Sequence, residues 1–289
     1  MNSFSVEVLC VGNELLFGRT LDSNSNFVCK RVYELGGTTK RITVVGDDVN
    51  EISRAIKETL ARRADWLIVT GGLGPTYDDK TLQGLAEAMG ARLSLSDKAL
   101  SYVKESVRRR AHLTRSKYPA TKEVLKAREK MATIPAGSEP LPNPVGTAPG
   151  VLALVDKTNV VCLPGVPAEM KAIFNQSVAP MMTGTPAGAY TVDIVVKGVP
   201  EAAMAPLLES TARGFPDFYI KSHPASTKRI SRVVVQVTGR GKGAISKTEN
   251  AAKVITDWLK NQGASFRLIR STKTGTPADQ CLEDSHHSR

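Results

Sequence analysis

The sequence predicts an α/β protein with a mostly parallel sheet, followed by a smaller α+β domain. Three observations carry that expectation. Up to residue 183, apolar runs of strand character alternate with stripes at helical spacing, the pattern of parallel strands joined by right-handed crossovers. Loops rich in Gly and Pro fall at strand ends, where open α/β sheets place their ligands. Then Gly184-Thr185-Pro186-Ala187-Gly188 breaks the pattern as a linker, and a shorter mixed pattern follows.

Taken in order, Val6 to Val11 is the first strand and ends in the loop Gly12-Asn13-Glu14-Leu15-Leu16-Phe17-Gly18. Phe27, Val28, Val32 and Leu35 share one face of a helix closed by Gly36-Gly37. Ile42 to Val45 is the second strand and runs into Gly46-Asp47-Asp48; Ile52, Ile56, Thr59 and Leu60 mark the next helix. The third strand, Leu67 to Val69, leads to Gly71-Gly72-Leu73-Gly74-Pro75-Thr76-Tyr77-Asp78-Asp79. Leu82, Leu85, Ala86 and Met89 continue as a helix face, which places both aspartates in the first helical turn. Residues 97–131 read as one or two helices broken near Pro119. Val151 to Val155 and Val160 to Leu163 read as a hairpin at the sheet edge, and Pro164-Gly165-Val166-Pro167 opens a further helix.

Beyond the linker, strands at Tyr190 to Val196, Phe218 to Ile220 and Val233 to Val237 combine with helices over 200–213 and around Ala251 to Leu259. The order is β-α-β-β-α. The expected boundaries are 1–183, 189–268 and a polar, disordered tail over 269–289.

The chain carries a formal net charge of +11, with basic residues concentrated between Lys98 and Lys130. Such a segment is a solvated helical face or an attractor of anionic ligands. Aromatic residues are only 5% of the chain, which argues against a stacking surface for nucleic acid. Four cysteines without regular spacing argue against a disulfide framework. No apolar run is long enough to span a membrane and the N-terminus lacks an export signal, so a cytoplasmic location is expected.

The loop Gly71–Asp79 has a definite chemistry. Glycines let backbone amides approach an anion, and a helix N-terminus adds partial positive charge. Adjacent carboxylates would repel a bare phosphate, so they point to a bridging divalent cation; the plainer reading makes Asp78 or Asp79 a helix cap. Three further loops keep it company: Gly12–Gly18, Pro142-Asn143-Pro144-Val145-Gly146-Thr147-Ala148-Pro149-Gly150, and Pro164–Glu169. Together they suggest one composite pocket.

In order, these four segments resemble the MoaB/Mog molybdopterin-binding domain, in the version found at the N-terminus of CinA proteins, over roughly residues 5–182. The resemblance implies a MoaB/Mog-like three-layer sandwich plus a small KH-like domain. It implies a nucleotide or pterin phosphate as ligand and, in the CinA branch, metal-dependent ADP-ribose pyrophosphatase activity; related domains occur in some FAD synthases. It makes Asp79 the first catalytic candidate, with Thr81 closing the motif, and puts a second acidic residue at Asp47. Glu14 joins them at the end of the first strand.

Three carboxylates from separate strand ends could hold Mg²⁺, Mn²⁺ or Co²⁺, with Asp79 and Asp47 as the named ligands. Asp47 could equally cap a helix, and Glu14 could hold its own loop by hydrogen bonds to amides. Gly71, Gly72, Gly74, Thr76 and Asp78 are expected to cradle phosphate. Gly146, Thr147, Ala148 and Gly150, with Pro164, Gly165, Pro167 and Glu169, are expected to take a second anionic or ribose group. Lys130 faces the phosphates or the solvent. No Walker A motif, His-Glu-x-x-His motif or serine triad is present. The C-terminal amidase domain of many CinA proteins has no counterpart in this chain, and true KH spacing is absent from Gly239–Gly243, so amide hydrolysis and RNA binding are not expected. Homo-oligomerisation stays open.

Overall fold

The computed structural model describes residues 4–114, 121–182, 189–224, 232–241 and 243–271. The chain divides into two compact units, 1–185 and 186–289.

The first unit begins β1 (Ser5–Val11), α1 (Asn13–Leu16), α2 (Ser23–Glu34), β2 (Thr38–Val45), α3 (Val49–Ala61), β3 (Trp66–Thr70) and α4 (Thr81–Met89). It continues β4 (Leu93–Leu95), α5 (Asp97–Thr114), α6 (Lys122–Ala132), β5 (Thr133–Pro135), β6 (Glu139–Leu141), β7 (Gly150–Val155), β8 (Thr158–Leu163) and α7 (Pro167–Ile173). A π turn over Phe174–Val178 prolongs α7.

The helices begin where the sequence supplies caps. Asp22 accepts from the Ser25 amide to start α2, and Asp48 accepts from Asn50 and Glu51 to start α3. Gly90, in the left-handed region, ends α4.

The main sheet has the order β2-β1-β3-β8-β7-β6. β1 lies parallel to both β2 and β3, and β3 parallel to β8, while β7 runs antiparallel between β8 and β6. Period-2 alternation splits the strand residues between two cores. Leu9, Val11, Leu67 and Val69 pack with Ile52, Ile56, Leu85 and Val103 on one face. Val6, Val8, Cys10 and Ile68 pack with Val28, Val32, Met170 and Phe174 on the other. This is the three-layer sandwich.

The β7–β8 hairpin forms, but not at the edge. β8 is interior and parallel to β3, and β6 closes the sheet. β6 escaped sequence reading because it is three residues long and contains Pro140, a residue confined to edge strands. β4 and β5 were missed for the same shortness; they pair as a separate ribbon.

The second unit is β9 (Ala189–Lys197), α8 (Glu201–Gly214), β10 (Tyr219–Pro224), β11 (Arg232–Arg240), α9 (Ala244–Asn261) and β12 (Ser265–Ser271). Its antiparallel sheet has the order β10-β11-β9-β12, the split βαβ arrangement. Val192, Ile194, Val196, Val233, Val235 and Val237 meet Met204, Ala251, Ile255 and Leu259 of the helices. β12 was not anticipated, and it carries the unit to Ser271, past the expected boundary at 268. The rest of the expected tail, and the linker 184–188, lie outside the described residues.

Candidate functional site

The loops that follow β1, β3 and β8 lie side by side because those strands are neighbours and parallel. The Gly71 amide donates to Leu163 O at 3.0 Å, and the Gly12 amide to Val45 O at 3.1 Å. Between them opens a cavity of ≈ 500 Å³ at the C-terminal ends of the strands, where doubly wound sheets bind ligands. Gly71 is indispensable to this closeness: at φ 103° it faces Val11 O, which any Cβ would overlap. Gly72, at φ 65°, leaves room for the Thr81 hydroxyl. That hydroxyl donates to Gly71 O at 2.7 Å, which ties the turn to the start of α4.

The aspartates are neither caps nor members of the first helical turn. The N-cap of α4 is Lys80, without a side-chain hydrogen bond, and the carboxylates precede it in the loop. Asp79 Oδ2 accepts from the Thr76 amide at 2.9 Å and lies 2.5 Å from Thr76 Oγ1. Asp78 Oδ1 lies 2.5 Å from the same hydroxyl. One proton cannot serve both acids at once, so Thr76 is wedged between two carboxylates. The hydroxyl and local amides, aided by the charges of Lys130 and Lys80, hold the Asp78 carboxyl below the usual carboxylate range. Gly74 leaves room for this placement, since a Cβ would stand 2.5 Å from Asp79 Oδ2 and would displace the carboxylate.

Lys130 does not line this cavity. Its Nζ donates to Gly74 O at 3.1 Å and Asp79 O at 2.8 Å, so it holds the loop from behind. Burial pushes its ammonium below the ordinary lysine value, against the opposing pull of Asp79 and Asp78.

Asp47 and Glu14 line the same cavity. Asp48, not Asp47, caps α3. Asp47 Oδ2 accepts from the Asn13 amide at 2.9 Å and so supports the short α1, a helical turn where the sequence predicts only loop. The Glu14 carboxylate folds over Gly12, where a Cβ would sit 2.6 Å from either oxygen. The loop after α1 is held by the Glu14 backbone carbonyl, which accepts from the Arg19 and Thr20 amides.

The 143–150 segment is organised by Asn143. Its Nδ2 donates to Ala148 O at 2.8 Å and Glu169 Oε2 at 2.7 Å, while its Oδ1 accepts from the Gly146 amide at 2.7 Å. Thr147, Ala148, Pro164, Gly165 and Glu169 reach the cavity wall. Three expected residues do not. Gly146 is buried beneath the Glu169 carboxylate, and Gly150 starts β7 against Cys162 O and Ile173. Pro167 opens α7 and borders a smaller side cavity.

Arg110 of α5 lines the main cavity, and Arg109 donates to Asn143 O at 3.0 Å. The run Arg108-Arg109-Arg110 was visible in the sequence, but spacing alone did not say which arginine turns inward. Asn143 lies within the Pro142–Gly150 segment, whose glycines and prolines mark a loop without showing which side chain organises it.

Among the described residues the cavity wall thus carries five carboxylates, from Glu14, Asp47, Asp78, Asp79 and Glu169, against one arginine, Arg110. Among the described residues no three acids, histidines or cysteines converge as a metal-holding group. The donor set therefore does not form a closed protein cage. It fits a hard cation taken by one or two carboxylates and completed by a ligand's phosphate oxygens and water, the habit of Mg²⁺. Among the described residues Cys10, Cys29 and Cys162 are free thiols, and no helix is long and apolar enough to cross a membrane. Burial pushes both the Cys10 and Cys162 thiols up to about 12, so neither is a nucleophile.

The chain is 36% identical to the CinA protein from Thermoplasma acidophilum, described as of unknown function; the match covers 62% of this chain and 99% of that one, with a TM-score of 0.54. A protein of Pyrobaculum arsenaticum is 43% identical over 219 residues, 75% of this chain and 78% of the relative. A protein of Saccharolobus islandicus strain L.S.2.15 is 34% identical over 264 residues, 91% and 94% of the two chains, so that likeness extends into the second unit. Residues 7–184 match the model of the probable molybdopterin binding domain. With more than half its length matched, and with the MoaB/Mog-like sheet and its loops in place, the chain belongs to that family.

Proposed function

We propose that the protein is a metal-dependent nucleotide pyrophosphatase that splits ADP-ribose, or a related dinucleotide, into AMP and a sugar phosphate. The observation that carries this reading is the Thr76–Asp78–Asp79 cluster on a glycine turn, at the rim of a cavity with excess negative charge. Backbone amides at Gly72 and Gly74 suit phosphate oxygens, the Gly71 amide being taken by Leu163 O, whereas the adjacent acids suit either a cation or a water to be deprotonated. Asp79 offers both oxygens to different tasks. Oδ2 is engaged by Thr76, while Oδ1 takes no hydrogen bond among the described residues and is the atom to accept a proton from an attacking water. Water adds to one phosphorus, the anhydride P–O bond breaks, and the bridging oxygen leaves with the second phosphate. Arg110 is placed to neutralise charge on that leaving group. Asp78, with one oxygen on Thr76, would be the carboxylate to hold a divalent ion, with Asp47, one oxygen already on Asn13, as the alternative; such an ion would supply the remaining charge neutralisation.

The family description favours a second reading, in which a pterin phosphate is bound without hydrolysis. One assay separates them. Purified protein is incubated with ADP-ribose, FAD, NAD and ATP, with and without Mg²⁺, Mn²⁺ and Co²⁺, and AMP release is followed. Turnover abolished by EDTA and restored by added metal supports the pyrophosphatase. Full activity in EDTA after dialysis sinks the metal role, and no AMP with any substrate and metal sinks the enzyme and leaves pterin binding.

A further inference from the structure

The acids of the main cavity are of two kinds. Asp78 and Asp79 sit on the glycine turn after β3, beside the Gly72 and Gly74 amides that suit phosphate oxygens. Glu169 comes from the first turn of α7, after the neighbouring strand β8. Among the described residues it does not join Asp78 and Asp79 in a group able to hold a metal. As a carboxylate it does not attract a phosphate either. Its place on the wall calls for a neutral donor.

The Glu169 side chain is held ready for one. Asn143 is 6% exposed, and backbone groups fix the direction of its amide. Ala148 O can only accept and so faces Nδ2, while the Val145 and Gly146 amides can only donate and so face Oδ1. The second Nδ2 proton goes to Glu169 Oε2, at 2.7 Å. Gly146 lies against the same carboxylate, where a Cβ would overlap it. Glu169 Oε1 takes no hydrogen bond among the described residues, and neither does the hydroxyl of Thr147, the residue after Gly146. Both residues line the cavity and are partly exposed. Neither atom is among the buried polar atoms that lack a partner, so both are open to solvent.

We propose that Glu169 Oε1 and the Thr147 hydroxyl bind the vicinal hydroxyls of a ribose, so that the cavity selects ribonucleotides against deoxyribonucleotides. The proposal rests on the main cavity taking the phosphates of a nucleotide. An oxygen that only accepts, beside a hydroxyl that both donates and accepts, complements two adjacent hydroxyls. In a nucleotide the ribose hydroxyls are the neutral donors nearest the phosphates along the covalent chain. With Oε2 taken by Asn143, the carboxylate lacks the open two-oxygen fork that the paired N–H donors of a pterin edge would engage. A site built to bind a hydroxyl rejects the analogue without it, because its own polar groups are then left unpaired in the complex.

The test uses the full chain and calorimetric titration with Mg²⁺ present. AMP, 2′-deoxy-AMP, 3′-deoxy-AMP and 2′,3′-dideoxy-AMP share base and phosphate and differ only in the hydroxyls. Inorganic pyrophosphate probes the phosphate site by itself. The wild type is expected to bind AMP about 10- to 100-fold more tightly than the dideoxy compound, with the two single deoxy compounds between. Glu169→Ala is expected to bring all four within about threefold of one another, while pyrophosphate binding persists or tightens because one negative charge has gone. Thr147→Val, which keeps the shape, is expected to lose discrimination at one hydroxyl and keep it at the other. Equal binding of AMP and dideoxy-AMP by the wild type overturns the proposal without any variant. So does a preference that survives intact in Glu169→Ala, and so does pyrophosphate bound with AMP unbound. Wild-type protein that binds neither pyrophosphate nor AMP marks a different failure, that of the phosphate reading, and this proposal falls with it.

Discussion

Each unit of this protein contains a strand, a turn with positive-φ glycines, and a helix without a side-chain cap, yet the two turns differ in kind. After β3 come Gly71 and Gly72; after β11 come Gly241, at φ 82°, and Gly243, at φ 77°. Around Gly243 a Cβ would meet nothing within 4 Å. Around Gly71 and Gly72 it would overlap Val11 O and the Thr81 hydroxyl, groups from a neighbouring strand and the following helix. Positive φ by itself therefore marks only a turn. What makes the first turn a site is that its glycines admit other chain segments to within contact and that acids follow directly.

The sharpest way to break this comparison is Asp79→Asn. If the first turn carries chemistry, turnover of the pyrophosphate substrate should fall by about 10²–10⁴-fold, the worth of one general base. Asparagine keeps an acceptor for the Thr76 amide, so the melting temperature should stay close to wild type. Steady-state kinetics and calorimetry check the pair of outcomes, and wild-type turnover would remove Asp79 from the mechanism.

Next in size is a matched pair of glycine replacements. Gly71→Ala drives a methyl group into Val11 O at a backbone angle that alanine avoids, and should cost about 3 kcal/mol or more. Gly243→Ala meets open space and should cost about 1 kcal/mol, the left-handed penalty alone. Equal losses in urea titrations would show that the crowding at Gly71 is illusory. Lys130→Met sits lower again: it removes two charge-assisted donors to Gly74 O and Asp79 O, and should weaken pyrophosphate binding by about tenfold without unfolding the chain.

These contrasts also show what the sequence could and could not reveal. The sandwich was legible because β1 and β3 are mostly apolar and the helices carry clear stripes. The cavity was legible because its loops are strand-end motifs. Reading failed where several spatial arrangements share one pattern. Asp78 and Asp79 follow three glycines and precede a helix face, which fits a cap, but Gly72 O takes the Thr81 amide and starts the helix two residues later. Arg110 comes from a helix more than thirty positions beyond the glycine turn, and nothing local marks it. Lys130 was noticed as a charge, whereas its role as a brace depends on two backbone carbonyls that only the fold brings near.

The smallest expected effects concern two buried acids that restate the difference between the units. Glu7, in β1, is paired: Arg62 Nε and Nη2 donate to it at 2.8 and 2.7 Å, and Thr59 donates at 3.0 Å. Burial alone would raise its carboxyl, but those bonds and the charges of Arg62 and Arg41 outweigh burial and hold it below the usual value. Asp193, in β9, is 5% exposed with Oδ1 unpartnered, and burial raises it despite Gln236 and the charge of His223. The signs therefore oppose. Glu7 contributes stability above its unfolded value near 4.5 and loses it as pH falls through the lowered folded value. Asp193 contributes stability below its unfolded value near 3.8 and loses it as pH rises through the raised folded value. At pH 7, Glu7→Gln should destabilise by about 1 kcal/mol, because glutamine keeps an acceptor and the partly exposed Arg62 finds water. Asp193→Asn should stabilise by a similar amount, about 1 kcal/mol, by removing a charge whose burial outweighs the help of Gln236 and His223. As the pH falls toward 3, both differences should shrink, since each wild-type acid then takes up the proton its neutral replacement imitates. Urea unfolding at pH 7, 5 and 3 reads both curves. A loss of stability for Asp193→Asn at pH 7 would mean that the carboxylate has a partner in solution, and the contrast with Glu7 would fall.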